Sequence, residues 1–97
     1  MEGKLIKQLQ EKLVRVQEEL ASQKVEGSAG GGMVRVIANG QQEILEVHID
    51  REVLNPDDVE MLCDLIVAAA NDALRKAREL AMSRMGSLLG GMKLPWF

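Results

Sequence analysis

The sequence predicts an α+β fold, with a small antiparallel sheet set between two long helices. Three observations predict it. Apolar residues recur at helical spacing over the first two dozen positions, alternate one by one from 33 to 50, and return to helical spacing after a marked start at 55–58. At 97 residues the chain is one domain, and its 46% hydrophobic and 28% charged residues are the composition of a folded protein.

In the first segment Ile6, Leu9, Leu13, Val16 and Leu20 lie three, four, three and four positions apart, which predicts a helix over about residues 3–23. Glu11 and Arg15 form an i,i+4 pair on its wet side. The seam is too short for a free-standing coiled coil, so it packs against the second helix or a partner.

The stretch EGSAGGGMVRVIANG, residues 26–40, holds five of the nine glycines. A phosphate-binding loop of the Walker type needs lysine and a hydroxyl directly after its last glycine and then a helix. Here Met33 and Val34 follow Gly32, and the next element is a strand. The dinucleotide fingerprint fails for the same reason. The glycines therefore serve backbone geometry, where the chain turns at a sheet edge.

Val34, Val36 and Ala38 alternate with Arg35 and Ile37, and Leu45, Val47 and Ile49 alternate with Glu46 and His48, so two strands are predicted. An earlier strand around 24–28 is weakly signalled. Asn39-Gly40 suits a two-residue hairpin turn. That turn sets residue 34 opposite 45 and 36 opposite 43, with Val34, Val36, Leu45 and Val47 on the core side. His48 falls on the other face with Arg35 and Glu46, as a solvated histidine.

The second helix opens at NPDD. Asn55 is read as its N-cap and Pro56 as its first residue, with Asp57 and Asp58 near the positive dipole end. Val59, Leu62, Cys63, Ile66, Val67, Ala70, Leu74, Ala77 and Ala81 draw a broad apolar stripe, on which the single Cys63 is expected as buried filler. The alanine run implies close approach by another element. Nothing breaks this helix before Gly86, and residues 89–97 are expected to form a flexible tail with Trp96 and Phe97 as apolar anchors.

No catalytic constellation emerges. One cysteine cannot build a disulfide framework or a multi-thiolate metal site, Asp57 and Asp58 are accounted for by the helix start, and the serines have only His48 as a base. The expectation is a protein without enzymatic activity, cofactor, metal or small-molecule substrate. The longest apolar run, LIVAAA, is far shorter than the ~20 residues that span a bilayer, and the N-terminus lacks a secretory apolar core, so a cytoplasmic protein without membrane contact is expected.

Charge is distributed unevenly although the net is −3. Residues 51–73 carry six acidic side chains against one basic, while residues 74–97 carry five basic against one acidic. A helix from 56 to 86 spans on the order of 45 Å, longer than the ~13 Å radius of gyration of a compact chain of this size. Its far end must project or meet another chain. Short strands cannot cover two long amphipathic helices, which predicts a tightly packed or intertwined homodimer with projecting helical arms. Val34, Val36, Leu45, Val47, Leu62, Ile66 and Ala70 are the candidate core and dimer residues. Lys4, Lys7, Lys12 and Arg15 on the first helix, and Arg75, Lys76, Arg78 and Arg84 on the second, are the candidate phosphate contacts. With no tyrosine, and Trp and Phe only at the tail, there is no stacking platform for unpaired bases, so duplex DNA is the better target.

The chain resembles the YbaB/EbfC family of small bacterial nucleoid-associated proteins along nearly its whole length. The resemblance is carried by KQLQEKLVRVQEEL, VEGSAGGGMVRVIANG, VHID before an acidic helix start, LCDLIVAAANDALRKA and the closing GGMKLP. It implies an α-β-β-β-α subunit over residues 1–88 and a tweezer-shaped homodimer. It also implies duplex DNA binding with little sequence preference, in nucleoid organisation or gene regulation. The competing reading is a dimeric protein-interaction adaptor without a DNA role.

Overall fold

The computed structural model describes residues 2–90. Helix α1 (Glu2–Ser22) leads into strands β1 (Lys24–Ala29), β2 (Val34–Asn39) and β3 (Ile44–Ile49). A single 3-10 turn, Arg51–Val53, connects these to helix α2 (Val59–Gly90). The sheet is antiparallel in the order β1-β2-β3. This is the expected α+β order, and the weakly signalled first strand is real. Residues 91–97, with Trp96 and Phe97, lie outside the described residues.

Helix α2 lies across β1 and β2 on a floor of small side chains. Ala69, Ala73 and Ala77 are fully buried with Val34, Val36 and Ala38, and Leu62, Ile66 and Ala70 are half-buried around them. Gly27 sets the approach distance. A Cβ there would stand 2.2 Å from the Ala73 nitrogen and 2.3 Å from the Ala69 carbonyl oxygen, so only glycine lets helix and strand come this close. The close approach expected from the alanine run is thus met by a glycine in the opposing strand. The triple glycine has the other use: Gly30, Gly31 and Gly32 all take positive φ (63°, 68° and 88°) in the turn from β1 to β2.

Four expectations are corrected. The hairpin does not close on Asn39-Gly40: Val34 pairs with Ile49 and Val36 with Val47, and a bulge beside Ile37 shifts Ala38 onto Ile44. Asn39 explains this. It is buried, and its side chain donates to the Ala21 carbonyl and the Glu43 carboxylate while accepting from the amides of Gln41 and Glu43, so it organises a longer loop in which Gln42 takes φ 63°. Gly40 is there because α1 presses on it, and a Cβ would meet Leu20 at 2.7 Å.

The second correction follows from the first. Leu45 and Val47 are 46% and 47% exposed in the single chain, because α2 stops short of β3. Third, Cys63 is exposed, since α2 is rotated toward its alanine face and leaves the Cys63–Val67 flank uncovered. Fourth, α2 begins at Val59 with Asp58 as its cap, accepting from the Met61 amide, while Asn55 accepts from Asp57 in a preceding turn.

Candidate nucleic-acid interface

Along α2 the neighbours change in reverse chain order. Leu65 meets Gly30, Ala69 and Ala73 meet Gly27, Lys76 reaches the Glu26 carbonyl, and Arg84 pairs with Glu19 of α1. The helix leaves the sheet where α1 enters it and runs back along α1, antiparallel to it. From Glu19 to Glu2 the first helix reaches about 25 Å, against about 9 Å from Arg84 to Gly90. Lys4 and Lys7 therefore stand beyond the described end of α2. The chain measures 66 × 23 × 16 Å with a radius of gyration of 18.5 Å, so this two-helix arm projects from the sheet.

The arm is held at its base by apolar contact. Val16 and Leu20 are buried, Leu9 and Leu13 are half-buried, and Ile6 is exposed toward the tip. The seam read from the sequence is therefore used progressively less along the arm.

The eight nominated cations fall into two groups. Lys4, Lys7, Lys12, Arg15 and Arg78 are exposed and have no ion-pair partner among the described residues, so the Glu11–Arg15 pair expected from their i,i+4 spacing is not formed. Lys4, Lys7 and Arg15 share one ridge of α1 with Glu11 and Glu18, whereas Lys12 lies on another side. The other three are engaged. Arg75 pairs with Asp72 at 2.5 Å while remaining largely exposed. Lys76 pairs with Asp72 at 3.3 Å and donates to the Glu26 carbonyl at 2.9 Å. Arg84 is tied to Glu19, with its Nε buried.

Asp72 was missed in the sequence and is the centre of this local network. Its carboxylate accepts the Ser28 amide at 3.1 Å. That hydrogen bond first, then the one from Lys76 and the charges of Lys76 and Arg75, hold its carboxyl below the ordinary value of 3.8. An i,i+3 and i,i+4 spacing to Arg75 and Lys76 was the available signal, but nothing in the sequence marks Ser28 as its partner.

His48 lies on the sheet face away from α2 with Arg35 and Glu46, as expected; the observed register sets it directly opposite Arg35, and it sits 3.2 Å from Glu46. Asp50 caps the 3-10 turn and Asp58 the start of α2. Among the described residues no three metal-capable side chains converge, and no helix is long and apolar enough to cross a membrane.

The model of the YbaB/EbfC DNA-binding family matches residues 2–92. The chain belongs to that family. It is 58% identical over 90 residues to a nucleoid-associated protein of Syntrophobacter fumaroxidans, covering 93% of this chain and 82% of that one. A nucleoid-associated protein of Bacillus cereus is 57% identical over 83 residues, covering 86% and 76%. The crystal structure of an uncharacterized protein from Helicobacter pylori has the same fold, with a TM-score of 0.80 and 25% identity over 90% of this chain and 91% of that one. A nucleoid-associated, DNA-binding chain is thus the setting for the arm and its cations.

Proposed function

We propose that this YbaB/EbfC-family chain is a homodimeric nucleoid-associated protein that grips duplex DNA with its two-helix arms, cytoplasmic within the nucleoid, in nucleoid organisation or gene regulation. The observation that carries the reading is the projecting α1 helix, on which Lys4 and Lys7 toward the tip and Lys12 and Arg15 nearer the base are exposed without ion-pair partners among the described residues. Such side chains contact phosphates, which carry no sequence information, so preference among sequences is small. Arg78 extends the surface onto α2 and Arg75 joins it from its exposed pair with Asp72. Lys76 and Arg84 hold the fold together and contribute less. The dimer rests on apolar surface that one chain leaves open: Ile44, Leu45 and Val47 on β3, and Val67 on α2.

The body is acidic, so attraction at the tips works against repulsion from the centre and binding falls steeply with salt. Retardation of a duplex across a salt series tests this. Replacing Lys7 and Arg15 with Ala removes up to four contacts per dimer, and at about 0.9 per phosphate the slope of log affinity against log salt falls by roughly 3 to 4. An unchanged slope refutes the arm as the DNA contact. The adaptor reading has one observation in its favour, the exposed Val14 at the floor of a shallow groove between Lys7, Gln10, Glu11, Arg15 and Glu18. It predicts no retardation even at low salt.

A further inference from the structure

The apolar seam of α1 runs on past its cover. Val16 and Leu20 are buried at the base and Leu13 and Leu9 are half-buried, whereas Leu5 and Ile6 are 59% and 56% exposed toward the tip. At about 100° per residue, Leu5 and Ile6 fall on either side of the line through Leu9, Leu13, Val16 and Leu20, within about 50° of it, so all six share one face. Lys4, Lys7 and Arg15 project from the other side of the helix.

The direction of α2 decides what comes next to this uncovered stretch. Arg84 pairs with Glu19, and the two helices run antiparallel. Six residues on, Gly90, the last described residue of α2, comes level with Leu13, six residues back along α1. From Leu13 to Leu5 the first helix rises about 12 Å. The seven residues 91–97 span up to about 23 Å when extended, enough to cover that distance within the same chain. Gly90-Gly91 and Pro95 disfavour further helical turns, so an extended course carries these residues toward the tip at little cost.

Their composition suits the face. Met92, Leu94, Trp96 and Phe97 are apolar, Lys93 is the single charge, and the two rings are the only aromatic side chains of the protein. Trp and Phe each bury about 150–250 Å² when covered. We propose that residues 92–97 lie along the distal seam of α1 in their own chain, with Trp96 and Phe97 covering Leu5, Ile6 and Leu9. The contact clamps the first turns of α1 against fraying and leaves Lys4 and Lys7 free on the far side. It stands without any DNA role; only its use, a stiff tip for gripping phosphates, rests on the DNA reading.

Trp96 is the only tryptophan, so its emission reports the contact in the full chain with no DNA present. The emission maximum is expected to the blue of that of the free peptide GMKLPWF, and Leu5→Ser combined with Ile6→Ser should move it to the peptide's value. Val14→Ser, a change at an exposed position on the other side of the same helix, should leave it in place. A native maximum equal to the peptide's, or one that the Leu5 and Ile6 substitutions do not move, overturns the docking. Should those substitutions loosen α1 itself, amide exchange in a chain carrying Trp96→Ser and Phe97→Ser decides. Faster exchange of the Ile6 to Leu9 amides than in the parent supports the clamp, and unchanged exchange refutes it. A disulfide identifies which chain supplies the tail. With Cys63→Ser, Ile6→Cys and Trp96→Cys, mild oxidation is expected to give an internally linked single chain. Linked dimers assign the seam to the tail of a second copy, and either that product or no link at all overturns the same-chain contact.

Discussion

Replacing Gly27 by alanine should be the most destructive methyl group that can be added to this chain. The new Cβ would lie 2.2 Å from the Ala73 nitrogen, 2.3 Å from the Ala69 oxygen and 2.7 Å from the Ala73 Cα, all of them helix backbone. Restoring an ordinary separation of 3.4 Å requires α2 to lift by about 1.2 Å, since no flexible side chain can yield instead. A gap of ~0.5–1 Å already forfeits a quarter to a half of each contact, and the gap would open along Ala69, Ala73 and Ala77 together. We expect a loss of about 3 kcal/mol, the upper end for overpacking. At about 4–8 °C per kcal/mol for a chain of this size, the melting temperature falls by roughly 12–24 °C. Gly86→Ala is the internal control. Nothing lies within 4 Å of its Cβ position in α2, so the same methyl group should stabilise by about 0.5–1 kcal/mol. Thermal melts of both variants at one fixed protein concentration provide the comparison, because self-association makes melting concentration-dependent. A Gly27→Ala melt within about 3 °C of the parent would refute the account of how helix and strand are spaced.

Asn39→Ala should cost about 2–3 kcal/mol in urea unfolding, because the Ala21 carbonyl and the amides of Gln41 and Glu43 lose their partner at a part-buried site. Asp72 has a folded pKa below its ordinary 3.8, so its ionised form stabilises the fold above that value and the contribution fades as pH falls through the lowered one. The stability gap between the parent and Asp72→Asn should accordingly narrow as urea midpoints are taken below about pH 4. Arg84→Ala removes a partly exposed pair with Glu19 and should cost no more than about 1 kcal/mol in urea unfolding. In the same duplex retardation assay it should leave binding closer to parent than Lys7→Ala does, because its guanidinium is already engaged.

Local pattern alone determined the element order, the two helices, the solvated face bearing Arg35 and His48, and the concentration of cations toward the helix ends. Periodicity and charge are properties of neighbouring residues, so they survive without any knowledge of distant contacts. The purposes of individual residues were decided by packing. Gly27 and Gly40 look like turn formers in the sequence, yet one is demanded by a helix 46 residues away and the other by Leu20. Asn39-Gly40 has the letters of a tight hairpin, but Asn39 found four hydrogen-bond partners and a longer loop won. Which face of α2 meets the sheet turned on Ala69 and Ala73, because a helix seated on glycine packs best through its smallest side chains, and that rotation left Cys63, Val67 and β3 up to Ile49 uncovered. The cations divided in the same way: sequence could count them, but only the tertiary arrangement tied Lys76 to the Glu26 carbonyl and Arg84 to Glu19 and left the α1 tip exposed, since a contact across the fold depends on distances that no spacing along the chain encodes.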